Sequence, residues 1–318
     1  MASPSISFNI LIIILCIFAL WGGASMLVDA AARIARRLGM SELIIGLTIV
    51  AMGTSAPEFA VSVTAALSGD PEISIGNVIG SNIFNLGFIL GTVAMIHMIH
   101  TNKRVVYRDG GILIGVTLLL LFFMRDYTLQ NWEGMVMFLL LLAYLGLLIY
   151  QRDLDEDEVP QGEFAWKDIP KLLIGLLLVV LGGQYLVGSA KIVAAAAGLS
   201  PYVIGATVVA AATSAPEAVT SIVAIVRGME QISLGNLIGS NIFNVLGVLG
   251  LAGALSHPPL EILSAAEFGS LVFLCVQMVF TALLLRNGWN LSRREGALLF
   301  GINLVSWIVI VWAGRPVG

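Results

Sequence analysis

SELIIGLTIVAMGTSAPE, residues 41–58, returns with few changes as SPYVIGATVVAAATSAPE at residues 200–217. A second block follows each copy: ISIGNVIGSNIFN ends at Asn85 and ISLGNLIGSNIFN ends at Asn244. The offset is 159 residues from Glu58 to Glu217 and again from Asn85 to Asn244, so both blocks repeat without a gap between them. The chain therefore reads as two copies of one unit, and its organisation follows from that repeat.

Lipid rather than water is the expected surrounding. Of 318 residues, 58% are hydrophobic and 11% charged, and the mean hydropathy is +0.97. A span needs about 20 mostly apolar residues. Such stretches run near 6–28, 41–67, 73–97, 110–124, 132–150, 170–190, 200–226, 232–255, 266–285 and 296–313. The first lacks the preceding basic residues and the cleavage pattern of a secretory signal and reads as a retained helix. Five spans per copy, an odd number, make the second copy enter the membrane from the opposite side. The expected fold is thus all-α and integral to the membrane: ten transmembrane helices in two inverted five-helix repeats, with discontinuous helices at an ion site near the midplane.

The expected boundaries are 1–150 for the first repeat, 151–167 for an acidic linker and 168–318 for the second repeat. The linker carries Asp153, Asp155, Glu156, Asp157 and Glu158 but lacks the alternating ligands and glycine turn of an EF-hand loop, so it reads as a solvated connection. With the N-terminus outside, thirteen of the sixteen basic residues fall on one side, and only Arg125, Lys191 and Arg315 on the other. The excess of Lys and Arg marks the cytoplasmic side, which puts both termini outside the cytoplasm and the linker inside it. Cys16 and Cys275 stand in apolar stretches as small buried hydrophobes. His97, His100 and His257 read as ordinary residues of loops, and Asp29 with Arg33 as an ion pair one helical turn apart.

Glu58 and Glu217 lie well inside apolar spans, where a carboxylate costs about 2.5–3.5 kcal/mol on insertion scales. Neither copy offers a Lys or Arg at comparable depth to neutralise it. Pro57 and Pro216 each remove a backbone donor and free the carbonyl four residues earlier, at Gly53 and Ala212, so the helix opens beside the acid. At that depth, freed carbonyls need protein, water or an ion to meet them. Thr54 and Thr213 share a helix face with the acids, and Ser55 and Ser214 add hydroxyls. In the next span Asn77, Ser81 and Asn85, and likewise Asn236, Ser240 and Asn244, repeat at four-residue spacing. Ser81, Asn85, Ser240 and Asn244 read as cation ligands, whereas Asn77, Asn82, Asn236 and Asn241 read as interhelical hydrogen-bonding residues. Gly76 with Gly80, and Gly235 with Gly239, read as faces that let helices approach closely.

The resulting donor set is two carboxylates, hydroxyls, amide oxygens and backbone carbonyls. It suits hard cations: calcium, with six to eight oxygens at about 2.3–2.6 Å, or several sodium ions. Without imidazole or thiolate it disfavours zinc, copper and iron. Empty, it would hold two carboxylates together in low dielectric, so only loaded forms should cross between orientations, which is the condition for coupled exchange.

These motifs resemble those of the calcium/cation antiporter superfamily, especially its compact prokaryotic sodium/calcium exchangers. The anchors are GTSAPE at 53–58 with GNVIGSNIFN at 76–85, and ATSAPE at 212–217 with GNLIGSNIFN at 235–244. The resemblance implies that Glu58 and Glu217 ligate calcium, with carbonyl oxygens from Thr54 and Thr213. It implies sodium subsites at Ala51, Thr54, Ser55, Ser81 and Glu58, and at Ala210, Thr213, Ser214, Ser240 and Glu217, with Asn85 completing a central ring. It also implies that the first and sixth helices slide as a gate against the rest. Asn244 stands where potassium-dependent members carry Asp, which argues against potassium co-transport.

The expected function is therefore a secondary active antiporter exchanging sodium for calcium by alternating access, with proton/calcium exchange as the alternative and a cation channel as a more remote one. No nucleophile and base pair or zinc motif suggests an enzyme. Calcium and sodium are expected as transported substrates rather than cofactors, with the lipid bilayer as surroundings, no nucleic acid partner and function as a monomer.

Overall fold

The computed structural model describes residues 6–151, 165–198, 208–261 and 265–313, and within them the chain is helical almost throughout. Helix α1 (Ile6–Arg37) is followed by a bent pair, α2 (Glu42–Thr54) and α3 (Ala56–Ser68), then α4 (Pro71–Ile96), α5 (Val105–Asp126) and α6 (Asn131–Tyr150). Next come α7 (Asp168–Ala196), the short α8 (Ala210–Thr213), α9 (Ala215–Val226), α10 (Glu230–Leu255), α11 (Ala265–Arg286) and α12 (Arg293–Ala313). Four two-residue strands close the loops in antiparallel pairs. β1 (Ile99–His100) pairs with β4 (Asn290–Leu291), and β2 (Thr128–Leu129) with β3 (Leu260–Glu261).

Among the described residues, seven helices are long and apolar enough to cross a membrane, or eight if α2 and α3 are one span bent by 50°. The protein is thus an all-helical, multi-pass membrane protein. The acidic stretch 152–163 and the opening of the second repeat, 200–207, lie outside the described residues.

Burial sorts the helices into an inner and an outer set. The most apolar window of α10 is 83% buried and that of α4 67%, against 28% for α1, so the two motif-bearing helices form the interior. Phe8, Leu15 and Phe18 of α1, Leu139 and Leu142 of α6, and Leu173 and Leu177 of α7 turn outward, as lipid-facing side chains do.

The inner crossings depend on small residues, because lipid tails are as apolar as leucine and helices associate mainly through close packing. A methyl added at Gly239 would stand 2.7 Å from the Cα and carbonyl oxygen of Leu47, so α10 and α2 touch backbone to backbone. Gly23 and Gly175 do the same for α1 and α7: a Cβ on Gly23 would lie 2.8 Å from the Gly175 oxygen. The first-copy faces expected at Gly76 and Gly80 meet almost nothing among the described residues, apart from Ala210 Cβ 3.8 Å from Gly80. By the repeat, the glycine matching Gly46 on α2 is residue 205, in the stretch outside the described residues.

One expected ion pair is corrected. Arg33 does not pair with Asp29; its Nε donates to Asp168 Oδ1 at 2.8 Å, tying α1 to the start of α7. Asp29 instead pairs with Arg227 at the end of α9 and stands 3.8 Å from Lys171 Nζ. An i,i+4 pair contributes only about 0.2–0.5 kcal/mol, too little to hold Arg33 against a carboxylate presented by a packed neighbour.

Candidate cation site

The chain breaks where the prolines predict. α2 ends at Thr54, Ser55 leaves the helix with φ −80° and ψ 7°, and α3 restarts with Pro57 in its first turn and Glu58 beside it. The second copy repeats this: α8 ends at Thr213, Ser214 has φ −83° and ψ 7°, and α9 restarts with Pro216 and Glu217. Each acid therefore sits at the N-terminal, positively polarised end of a half-helix, where a negative charge is favoured. The chain is also wound wider at nearby places, residues 208–209 before the second break among them. Gly46–Val50 precedes the first break, and Asn85 and Asn244 each open a π-helical stretch, a departure that recurs at functional sites.

The two copies then interlock. Ser55 Oγ, from the first, donates to Glu217 Oε1 at 2.8 Å, and Ser214 Oγ, from the second, donates to Glu58 Oε1 at 3.3 Å. Thr54 Oγ1 donates to Asn236 Oδ1 at 3.0 Å, and Thr213 Oγ1 lies 3.5 Å from Asn77 Oδ1. Asn77 Nδ2 reaches Ser62 Oγ at 3.0 Å and the Glu58 carbonyl at 3.3 Å; Asn236 Nδ2 reaches Ser221 Oγ at 3.0 Å and the Glu217 carbonyl at 3.4 Å. Every one of these side chains is buried. Of the four asparagines expected to bond between helices, Asn77, Asn82 and Asn236 do so, Asn82 Nδ2 donating to the Asn241 carbonyl at 3.2 Å, and the Asn241 side chain does not.

Symmetry fails in three particulars. Ser81 Oγ donates to Glu58 Oε1 at 3.3 Å, whereas the Ser240 hydroxyl turns back to the carbonyl of Asn236. Asn244 Nδ2 donates to Asn82 Oδ1 at 3.1 Å, whereas neither amide atom of Asn85 has a partner among the described residues. The Asn241 amide turns down its own helix to Leu237 O at 2.6 Å. The backbone oxygens of Ala51 and Ala210 face the breaks, where they accept the amides of Ser55 and Ser214 at 3.0 and 3.3 Å and the hydroxyls of Thr54 and Thr213 at 3.3 and 3.1 Å.

Unpaired buried polar atoms are rare in proteins and call for a physical reason. Glu58 Oε2, Glu217 Oε2, Asn85 Oδ1 and Asn244 Oδ1 are four such oxygens, all without a hydrogen-bond partner among the described residues. In each glutamate one carboxylate oxygen is held by a hydroxyl while the other is left uncommitted. Four free hard oxygens, two of them on carboxylates, make a donor set suited to calcium or sodium as passing substrate. Ser62 and Ser221 were not singled out from the sequence, although each lies four residues after its glutamate and the two recur at the same 159-residue offset.

The chain is similar to known proteins along most of its length. The sequence profile of the family described as sodium/calcium exchanger protein matches residues 8–150 and 169–312. The sodium/calcium exchanger MaX1 of Methanosarcina acetivorans is 34% identical, over 96% of this chain and 99% of its own. The inner membrane protein YrbG of Escherichia coli K12 is 30% identical, over 92% and 94%. A solved structure of the sodium-calcium exchanger NCX_Mj, soaked with sodium and strontium, superposes with a TM-score of 0.83 at 28% identity and covers 98% of this chain and all of that one. With two long stretches of the chain matched by the family profile and relatives of at least 30% identity aligned over more than nine-tenths of it, the chain belongs to the sodium/calcium exchanger protein family.

Proposed function

We propose that the chain exchanges sodium for calcium across the membrane by alternating access, with Glu58 and Glu217 as the shared ligands of both ions. The observation that carries this reading is the pair of fully buried glutamates, each with one oxygen held by a hydroxyl from the other copy and one oxygen uncommitted. Calcium bridges both carboxylates and neutralises two charges at once. Sodium ions divide the same oxygens between them, with Thr54, Ser55, Ser81 and the Ala51 carbonyl on one side and Thr213, Ser214, Ser240 and the Ala210 carbonyl on the other. Asn85 and Asn244 complete the centre. A loaded site relieves the repulsion of two buried carboxylates, so loaded forms alternate and the empty one does not. The Ser240 hydroxyl turns from the Asn236 carbonyl to bind, whereas Asn244 presents an uncommitted Oδ1 already.

The architecture assigned to this function is ten spans in two inverted repeats, 1–150 and 168–318, with the helix pair α8 and α9 and the helix α12 supplying the spans beyond the eight counted above. Loop pairing supports the inversion, and the basic residues supply the orientation. Contacts between Arg33 and Asp168, Asp29 and Arg227, Arg104 or Arg108 and Gln151, and β1 and β4 all join segments that the basic residues assign to the cytoplasm. β2 with β3, and Asn131 with the carbonyls of Gly253 and Ser256, join segments assigned to the other side. Both termini then lie outside the cytoplasm, the 151–167 linker lies within it, and a single chain suffices for transport.

Proteoliposomes loaded with calcium test the reading. Release driven by an inward sodium gradient, unmoved by a pH gradient and lost in Glu58→Gln and Glu217→Gln while both variants remain folded, is the expected result. Release driven by protons alone identifies a proton/calcium exchanger, and full transport in both variants removes the site assignment.

A further inference from the structure

Away from the membrane interior, His97 and His100, which the sequence reads as ordinary residues of loops, come together with Glu230. His97 follows the last turn of α4, His100 lies in β1, and Glu230 is the first residue of α10. His97 Nε2 is 2.8 Å from Glu230 Oε1 and His100 Nδ1 is 3.2 Å from Glu230 Oε2, and one ligand atom from each residue lies within 4.8 Å of the other two.

We infer that His97, His100 and Glu230 form a three-ligand site for a borderline divalent transition metal such as zinc, distinct from the hard-oxygen site for the transported ions. Two imidazoles and one carboxylate are a donor set that zinc, cobalt or nickel takes and that calcium and sodium do not. Ligands about 2.0–2.2 Å from a tetrahedral zinc stand roughly 3.3 Å from one another, so the two histidine–glutamate separations of 2.8 and 3.2 Å are already close to that spacing.

Each ligand is held by a different rigid element. His100 is fixed by the β1–β4 ladder opposite Asn290, His97 by the end of α4, and Glu230 by the start of α10. The His100 amide also donates to Glu230 Oε2 at 3.1 Å, the kind of supporting bond that orients a ligating carboxylate. The side chains of the two histidines are 50% and 60% exposed, which leaves room for water as the fourth ligand. Nearby cations are engaged elsewhere: Arg293 Nη2 donates to the Ile96 carbonyl at 3.1 Å, and Lys103 Nζ lies over the Trp289 ring, 5.9 Å from its centre. Bound metal would staple the end of α4 to the start of α10, the two helices that carry the asparagines of the transport site.

The test is zinc binding to the purified full-length protein in detergent, stripped of metal beforehand, read by calorimetry and by the visible absorption of cobalt in zinc's place. One ion per chain is expected, with a tetrahedral cobalt spectrum and a raised melting midpoint. The double variant His97→Asn with His100→Asn should lose at least tenfold in affinity together with the spectrum. Glu230→Gln, which keeps a hydrogen-bonding side chain at the helix start, should lose the spectrum while melting like the wild type without metal. His257→Asn should bind as the wild type does. No stoichiometric binding by the wild type, or equal binding by the double variant and by Glu230→Gln, overturns the site.

Discussion

Ser55→Ala removes the hydroxyl that donates to Glu217 Oε1 at 2.8 Å, the shortest of the bonds that join the two copies around the paired glutamates. A hydrogen bond to an ionised acceptor contributes about 1.5–3 kcal/mol, and about 1.4 kcal/mol is a factor of ten. Without it the cation must itself fix the carboxylate, so calcium affinity should fall about 10- to 150-fold. Ser214→Ala is the internal control. Its bond to Glu58 Oε1 is longer, 3.3 Å, and that oxygen keeps a second donor in Ser81, also at 3.3 Å. Bonds of that length lie beyond the usual range for hydroxyl donors, and a net loss of about 0.5–1.5 kcal/mol, roughly two- to tenfold, is expected. Equilibrium binding of radioactive calcium to both variants in sodium-free detergent reads the difference. A loss in Ser214→Ala equal to or larger than that in Ser55→Ala would refute the ranking, and no loss in either would remove these hydroxyls from the account of the site.

Other expectations follow from particular contacts. Asn85→Leu replaces a buried amide that has no partner among the described residues, so it should raise the melting midpoint in the absence of ions, by up to about 1–3 kcal/mol of stability, while weakening sodium-driven calcium flux. Lower stability together with unchanged flux would contradict it. Gly239→Ala forces a methyl to within 2.7 Å of the Leu47 backbone and should cost about 1–3 kcal/mol in thermal unfolding. Gly146→Ala, with nothing within 4 Å, should lose nothing. In intact cells, Tyr127→Cys should react with a membrane-impermeant maleimide, whereas Gly228→Cys should react only after permeabilisation; the reverse pattern would invert the assigned orientation.

Much of the site was legible because one period served twice. Four-residue spacing grouped Thr54 with Glu58 and Ser81 with Asn85 and the constant offset carried each grouping to the second copy, whereas the structure turns Thr54 to Asn236 and Ser81 to Glu58. The prolines announced both breaks, which occur one or two residues before them. What the sequence could not reveal was reach across the interface. That Ser55 serves Glu217 rather than its neighbour Glu58 depends on how two bent helices dock, and no local spacing encodes it. The same limit misassigned Arg33, whose partner Asp168 lies 135 residues away. It also hid the meeting of His97 and His100 with Glu230, which lies 130 residues or more further along the chain.

The exchange of hydroxyls between the copies has a consequence for biogenesis. Glu58 enters the membrane during synthesis well before Ser214, 156 residues further along the chain, has been made. At about 5–20 residues per second that is a wait of roughly 8–30 s. For that interval a carboxylate destined for the centre of the protein has no counterpart from the second half, and the first half has no reason to close. Insertion of the early helices should therefore remain provisional, their final seating coinciding with arrival of the later ones, and a chaperone or insertase that shelters acidic helices would act in that window.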